Sequence, residues 1–263
     1  MINISKLLWR FKEFFLFFIS STTIYKIHAP FAFRLVQQVF EDKSNYYAFP
    51  LIESYRNQLE KSKNSIKKIE FGAGENPTRS ISNLANIDSS PSVKGQQLFK
   101  LVNHLQPKSI LELGTCIGIG TSYLGHANSA STLQTIEACP NTIKIAADTL
   151  KSCGVSHPQL HNSKTKFDLI YIDGHHNEEA TLRYFERLKP FMDSQNCTVI
   201  FDDIYWSKGM KRAWQEVKKD DTFKLSIDLF HIGIIFRNNN LRSRSSFKLV
   251  KAAWKPWILS LIH

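Results

Sequence analysis

Acid is missing from the last part of this chain: after Asp228 there is no further Asp or Glu. Cysteine is scarce as well, four in 263 residues (Cys116, Cys139, Cys153 and Cys197), and no two are spaced as C-x-x-C. The usual structural zinc frameworks and a disulfide scaffold are therefore not expected, and a reducing, cytoplasmic setting is. No apolar run reaches the about 20 residues needed to span a bilayer. The best stretch, LLWRFKEFFLFFI at residues 7–19, is interrupted by Arg10, Lys12 and Glu13. No small-residue cleavage site follows it, so a signal peptide is not expected. No internal repeat is visible. A composition of 43% hydrophobic and 22% charged residues excludes a disordered or collagen-like chain. The length suits one large domain, or one domain with an extension.

What is present is positive charge: 34 Lys+Arg against 23 Asp+Glu, a net of +11. Arg237, Arg242, Arg244, Lys248, Lys251 and Lys255 lie beyond the last acid. Such a tail suits nucleic acid, anionic lipid or an acidic partner, or else is a solvated helix face. At the other end Leu7, Leu8, Phe11, Phe14, Phe15 and Phe18 recur at the three- and four-residue spacing of one helix face. Near the C-terminus Phe247, Val250, Trp254, Trp257 and Leu261 alternate with Lys248, Lys251 and Lys255, and Pro256 would kink or end a helix there. Apolar faces of this size need a cover. The reading taken is the domain's own surface or a homodimer, with a lipid headgroup layer as the alternative.

Residues 1 to about 65 read as helical, with a break at His28-Ala29-Pro30 and a short strand from Ile66 to Phe71. Loop composition at residues 86–95 marks a boundary. Beyond it, helix and strand alternate. Strands are expected at Ser109–Leu113, Leu133–Glu137, Gln159–His161, Phe167–Ile172 and Thr198–Phe201, and as a pair over Phe223–Phe236. This order predicts an α/β fold with a mostly parallel sheet, closed by an antiparallel hairpin at its edge. The division predicted is a helical extension over 1–90, an α/β domain over 91–240 and a basic amphipathic tail over 241–263.

In open α/β sheets, ligands bind beyond the carboxyl ends of the strands. Here those ends carry acid or glycine: Glu112 to Gly120 (ELGTCIGIG), Glu137, Asp173-Gly174-His175-His176, and Asp202-Asp203. Gly114 lets the chain turn off its strand, and Gly118 and Gly120 open a helix start to a ligand. The spacing G-x-x-x-G-x-G is shared with short-chain dehydrogenases, but no Tyr here has a Lys four residues on, the pair those enzymes need.

Glu112, Gly114, Gly118 and Gly120, followed by Glu137, resemble the class I S-adenosylmethionine-dependent methyltransferases. ILELGTCIGIGTSYL is similar to their first motif, FDLIYIDGHH to their fourth, and FDDIYWSKGM to their fifth-strand end. The resemblance covers about residues 95–237 and is closest to small-molecule, catechol-methyltransferase-like O-methyltransferases. It implies a seven-stranded Rossmann-like sheet and S-adenosylmethionine as cofactor. Glu112, Gly114, Thr115, Gly118, Gly120 and Asp173 would line the cofactor site, with Glu137 on the two ribose hydroxyls. The expected reaction is methyl transfer to an oxygen of a small or sugar-like acceptor. One departure stands out: the region of the third strand is short, and no acid lies between Asp148 and Asp168. The adenine contact is therefore unassigned. A non-catalytic binding protein on the same fold stays open as an alternative. A nucleic-acid methyltransferase is the further alternative, opposed by the absence of an N-P-P-[YF]-like tetrapeptide.

The resemblance also implies that Asp173, Asp202 and Asp203 hold a divalent cation, Mg²⁺ or another, since oxygen ligands suit it. The alternative is that each acid caps a loop or helix. His175, beside Asp173, is the expected general base. Trp206, Tyr205 and Lys208 either line the acceptor pocket or pack the following helix.

Overall fold

The computed structural model describes residues 4–69, 77–155 and 165–255. In chain order the main elements are α1 (Ile4–Ser20), α2 (Pro30–Leu35), α3 (Ala48–Glu60), β1 (Ser65–Lys67), β2 (Thr78–Ser80), α4 (Ile81–Asn83), α5 (Ser92–Leu105), β3 (Ser109–Leu113), α6 (Ile119–Ala127), β4 (Thr132–Ile136), α7 (Pro140–Ser152), β5 (Leu169–Ile172), α8 (Glu178–Leu188), β6 (Asn196–Asp202), α9 (Lys208–Val217), β7 (Leu225–Asp228), β8 (Ile232–Asn238) and β9 (Ser245–Lys248). They form two compact units, residues 42–163 and residues 1–41 with 164–263. Seven strands belong to one mostly parallel sheet with helices around it, the Rossmann-like arrangement expected.

In the unit of residues 42–163, β3 and β4 run parallel, Ser109 opposite Thr132 and Glu112 opposite Thr135. Their apolar side chains, with Leu98, Leu101 and Val102 of α5 and Leu124 of α6, form its core. The helical segment before residue 90 is part of this unit. The buried Arg56 guanidinium donates to the carbonyls of Ala85 and Ser90 and to Ser89 Oγ. It also pairs with Glu53, which accepts a 2.6 Å bond from Tyr123 Oη of α6. A buried ion pair is held only where further hydrogen bonds complete it, as here.

In the other unit, β5 and β6 are parallel, and β8 runs antiparallel to both β6 and β7. All four residues of β5 are buried, as in a strand covered on both faces. Two helices start on side-chain caps: Asn177 accepts from the Ala180 N–H before α8, and Ser207 from the Met210 N–H before α9. The hairpin of β7 and β8 is present but is not the edge, because β9 adds in parallel to β7. The basic tail thus begins as a strand rather than a helix. The Leu249 N–H donates to Asp228 and the Val250 N–H to Thr22. Strand-edge hydrogen bonds outweigh the three- and four-residue spacing of Phe247, Val250 and Trp254. The expected strand at Gln159–His161 and the segment from Pro256 on lie outside the described residues.

The first helix departs from its expected packing. α1 forms, but only Glu13 and Phe17 are buried on it, while Leu7, Leu8, Phe11, Phe15 and Ile19 are exposed. Among the described residues, Phe14 of the aromatic stripe meets Phe230 and Phe18 is half-buried, while the rest of the stripe is exposed.

Candidate functional site

The loop after β3 is built around two glutamates. Glu112 is almost fully buried, and its Oε2 accepts bonds from Thr121 Oγ1 at 2.5 Å and Thr135 Oγ1 at 2.6 Å. Thr115 Oγ1 lies 2.5 Å from Thr135 Oγ1 and extends this network. Glu137, half-buried at the end of β4, takes the Cys116 N–H on Oε2 at 2.8 Å and the Cys139 N–H on Oε1 at 2.9 Å. It therefore pins the glycine loop to the next strand.

The backbone there needs its glycines. Gly114 and Gly118 have φ of 104° and 84°, and Cys116 between them has φ of 50°. A side chain at Gly118 would also sit 3.1 Å from the Ala146 carbonyl oxygen. Gly118 thus serves close packing against α7 as well as the start of α6. Gly120 lies where a Cβ would approach Ser90 Oγ and Glu112 Oε1, at 3.3 and 3.5 Å. The α6 N-terminus, which has no side-chain cap, follows directly on this acid-lined turn. Glu112, Gly114, Thr115, Gly118, Gly120 and Glu137 are thus brought together. Thr121 lies in the motif, but residue type alone does not distinguish it as the donor to Glu112. Thr135 and Ser90 carry no sequence signal, because their roles depend on strand register and on a loop before α5.

A second cluster sits at the carboxyl ends of β5 and β6. Single ligand atoms of Asp173, His176 and Asp202 all lie within 4.8 Å of one another. His176 Nε2 is 3.6 Å from Asp173 Oδ1, and Tyr171 Oη donates to Asp173 Oδ2 at 2.9 Å. Asp202 is buried at the end of β6. Asp203 does not join this group. It takes a positive φ of 50°, its N–H donates to the His231 carbonyl, and its carboxylate acts on Lys6 of α1. Adjacent residues at a strand end point apart unless the chain turns, and here the turn carries Asp203 away.

The two histidines also exchange expected places. His175 is exposed, with φ of 44°, and its Nδ1 lies 2.7 Å from Tyr184 Oη of α8. His176 is the imidazole that faces the acids. Of the three residues after Asp203, Tyr205 is buried, stacks on Phe230 at 4.7 Å and donates to Asp228, so it packs the core. Trp206 points outward. Lys6 Nζ lies 3.6 Å over its ring, Arg10 lies 5.0 Å away, and the His176 ring is at 6.4 Å. Burial, together with Arg10, lowers the Lys6 pKa, and Asp203 opposes the shift. Lys208 is exposed at the start of α9.

The donor set of the second cluster fits a divalent cation: two carboxylates and one imidazole in reach of one point. An imidazole in place of a third carboxylate moves the preference from Mg²⁺ toward Mn²⁺ and its neighbours.

A family model described as a methyltransferase domain matches residues 111–204, which contain both clusters. No curated protein matches the sequence. Among solved structures, an SAH-bound methyltransferase from Podospora anserina is similar with TM-score 0.54 and 14% identity, over 80% of this chain and 96% of that one. A structure titled as a putative O-methyltransferase from Klebsiella pneumoniae gives TM-score 0.52 and 16% identity, over 78% and 94%. An O-methyltransferase from Bacillus cereus in complex with SAH gives 0.50 and 17%, over 77% and 94%. At these identities the likeness establishes the fold, a Rossmann-like one, and residues 111–204 are similar to a methyltransferase domain.

Proposed function

We propose that this methyltransferase takes S-adenosylmethionine on the loop from Glu112 to Gly120 and transfers its methyl group to an oxygen of a small-molecule acceptor. The observation that carries the reading is the pair Glu112 and Glu137 around a glycine turn at a helix start. Glu112 and Gly120 would face the methionine part, with Thr115 and Gly118 shaping the turn, and Glu137 the ribose. A carboxylate has about four acceptor positions, of which the two loop amides use two on Glu137, leaving one per oxygen for a hydroxyl.

The acceptor would meet the cluster of Asp173, His176 and Asp202, with Trp206 as an apolar wall. A divalent cation held there supplies charge that lowers the pKa of an acceptor hydroxyl. In this reading Asp173 and Asp202 would hold the cation, leaving His176, rather than His175, to accept the hydroxyl proton; Asp203 stands aside from the cation. Most of the acceleration would come from alignment of acceptor oxygen, methyl carbon and sulfur. The four cysteines are free thiols, which supports a cytoplasmic setting. No helix among the described residues is long and apolar enough to cross a membrane. The division into extension, catalytic region and tail at residues 90 and 240 is kept as a proposal about sequence history, since residues 42–90 fold into the same unit as the glycine loop.

The test is equilibrium dialysis with labelled S-adenosylmethionine. Glu137→Ala should weaken binding by about 1–3 kcal/mol, the cost of unmade hydrogen bonds to a charged group. Equal affinity in variant and parent would remove Glu137 from the site.

A further inference from the structure

The helix α1 is turned the wrong way round for a protein in water. A surface helix ordinarily buries its apolar stripe and offers charge to solvent. Here the inward side carries Glu13, whose Oε2 takes a 2.5 Å bond from Lys211 Nζ, and Phe17, packed on Tyr205 and Phe230. Lys6 and Arg10, on the same side at the spacing of one helical turn, lie against Trp206. The outward side carries Ile4, Leu7, Leu8, Phe11, Phe15 and Ile19, all largely exposed, with Phe11 at 71%.

We infer that the outward face of α1 docks in the headgroup layer of an anionic lipid bilayer. Charge selects this occupant. The sole acid of α1, Glu13, is buried and paired, so none is exposed on the helix, whereas Lys12 is exposed beside the stripe. Around the helix C-terminus Lys26 is exposed, Lys248 is half-buried and Lys255 is buried. Lys248 Nζ donates to Ser20, Lys255 Nζ donates to the Ser21 carbonyl and lies 4.7 Å over the Phe18 ring, and Lys26 acts on Lys255. Tyr25 and Trp254, exposed aromatics with polar tips, flank the same end, the side-chain type that sits at a membrane interface. A 17-residue helix is about 25 Å long and lies in the interface plane with its apolar side sunk about 5–10 Å. A second copy of the chain is the poorer occupant. Lys12 sits at the midpoint of the helix beside the stripe, so an isologous antiparallel pair sets it against its own copy. Lipid of negative charge meets both the stripe and its basic border. Because the inward side of α1 touches Trp206, docking also sets the β6 carboxyl-end loop close to the bilayer surface.

The test is co-sedimentation of the full chain with phosphatidylcholine vesicles, with and without phosphatidylglycerol, against Leu8→Ser/Phe11→Ser/Phe15→Ser and Lys12→Glu. The parent should bind anionic vesicles at least tenfold more tightly than zwitterionic ones, and 0.5 M salt, roughly a threefold shorter screening length than 0.05 M, should weaken that binding. The triple variant should lose at least tenfold in partitioning while keeping the parent's circular dichroism and melting temperature, because its three side chains face outward. Lys12→Glu should lose severalfold on anionic vesicles only. Failure of the parent to sediment with either vesicle would overturn the inference. So would a parent dimer in sedimentation velocity that the triple variant converts to monomer without any vesicle binding, which would assign the face to a second copy.

Discussion

The two acid clusters of this molecule are solved in opposite ways. Around β3 and β4, Glu112 and Glu137 are each met by donors of their own unit, two hydroxyls and two amides at 2.5–2.9 Å. Around β5 and β6, Asp173 and Asp202 converge with one imidazole, and like charges at such range repel unless a cation or a proton intervenes. The first pair is hydrogen-bonded within the protein and shapes a loop. The second brings two carboxylates and an imidazole within reach of one another. The difference is one of electrostatics: the first pair of acids is met by donors of the protein, the second pair converges with one imidazole.

The largest effect should follow from breaking the complete cluster. Glu112→Ala removes the acceptor of the buried Thr121 hydroxyl and of the half-buried Thr135 hydroxyl and should cost about 3 kcal/mol of unfolding free energy, read by urea titration. A loss below about 1 kcal/mol would mean that Glu112 is not what organises the turn. Gly118→Val should come next, at about 1–3 kcal/mol, since it forces a β-branched residue to positive φ against the Ala146 carbonyl.

At the second cluster the expected change is in response rather than in stability. Mn²⁺ should raise the melting temperature of the parent, and Asp202→Asn should abolish that rise while leaving S-adenosylmethionine affinity unchanged. A parent unaffected by Mn²⁺ and by chelator would leave the acids without the cation this account gives them.

Smaller still is a pH effect away from both clusters. Burial raises the Asp228 carboxyl above the usual range, although the Phe230 N–H, Trp214 Nε1–H and Tyr205 Oη–H donate to it. The folded state then keeps a proton that the unfolded state has released. Stability from this group is therefore fully present below the ordinary carboxylate pKa and falls as pH rises toward the raised value. Asp228→Asn should flatten that slope in thermal melts run from pH 4 upward, and a slope identical to the parent's would remove Asp228 as its source.

What the sequence made legible follows the same division. The glycine loop is local, so ELGTCIGIG and Glu137 reveal it without any tertiary knowledge. Thr135 enters only through the parallel register of β3 and β4, and Ser90 only through the chain that precedes α5. At the second cluster the residues Asp173 and Asp202 were readable as strand ends. The choice between neighbours was not: His176 over His175 and the withdrawal of Asp203 depend on two positive-φ turns that residue type does not announce. The sidedness of α1 was hidden for another reason. Periodicity locates an apolar stripe but does not say which way it faces, and here the Glu13–Lys211 pair and Phe17 set the inward side.

The claim on which the rest depends is that the Glu112–Glu137 loop holds S-adenosylmethionine. Calorimetric titration of the full chain with the cofactor measures it without an acceptor. One saturable site, weakened in Glu137→Ala, is the predicted result. No heat up to millimolar cofactor would contradict the account and leave the fold to a protein that binds something else.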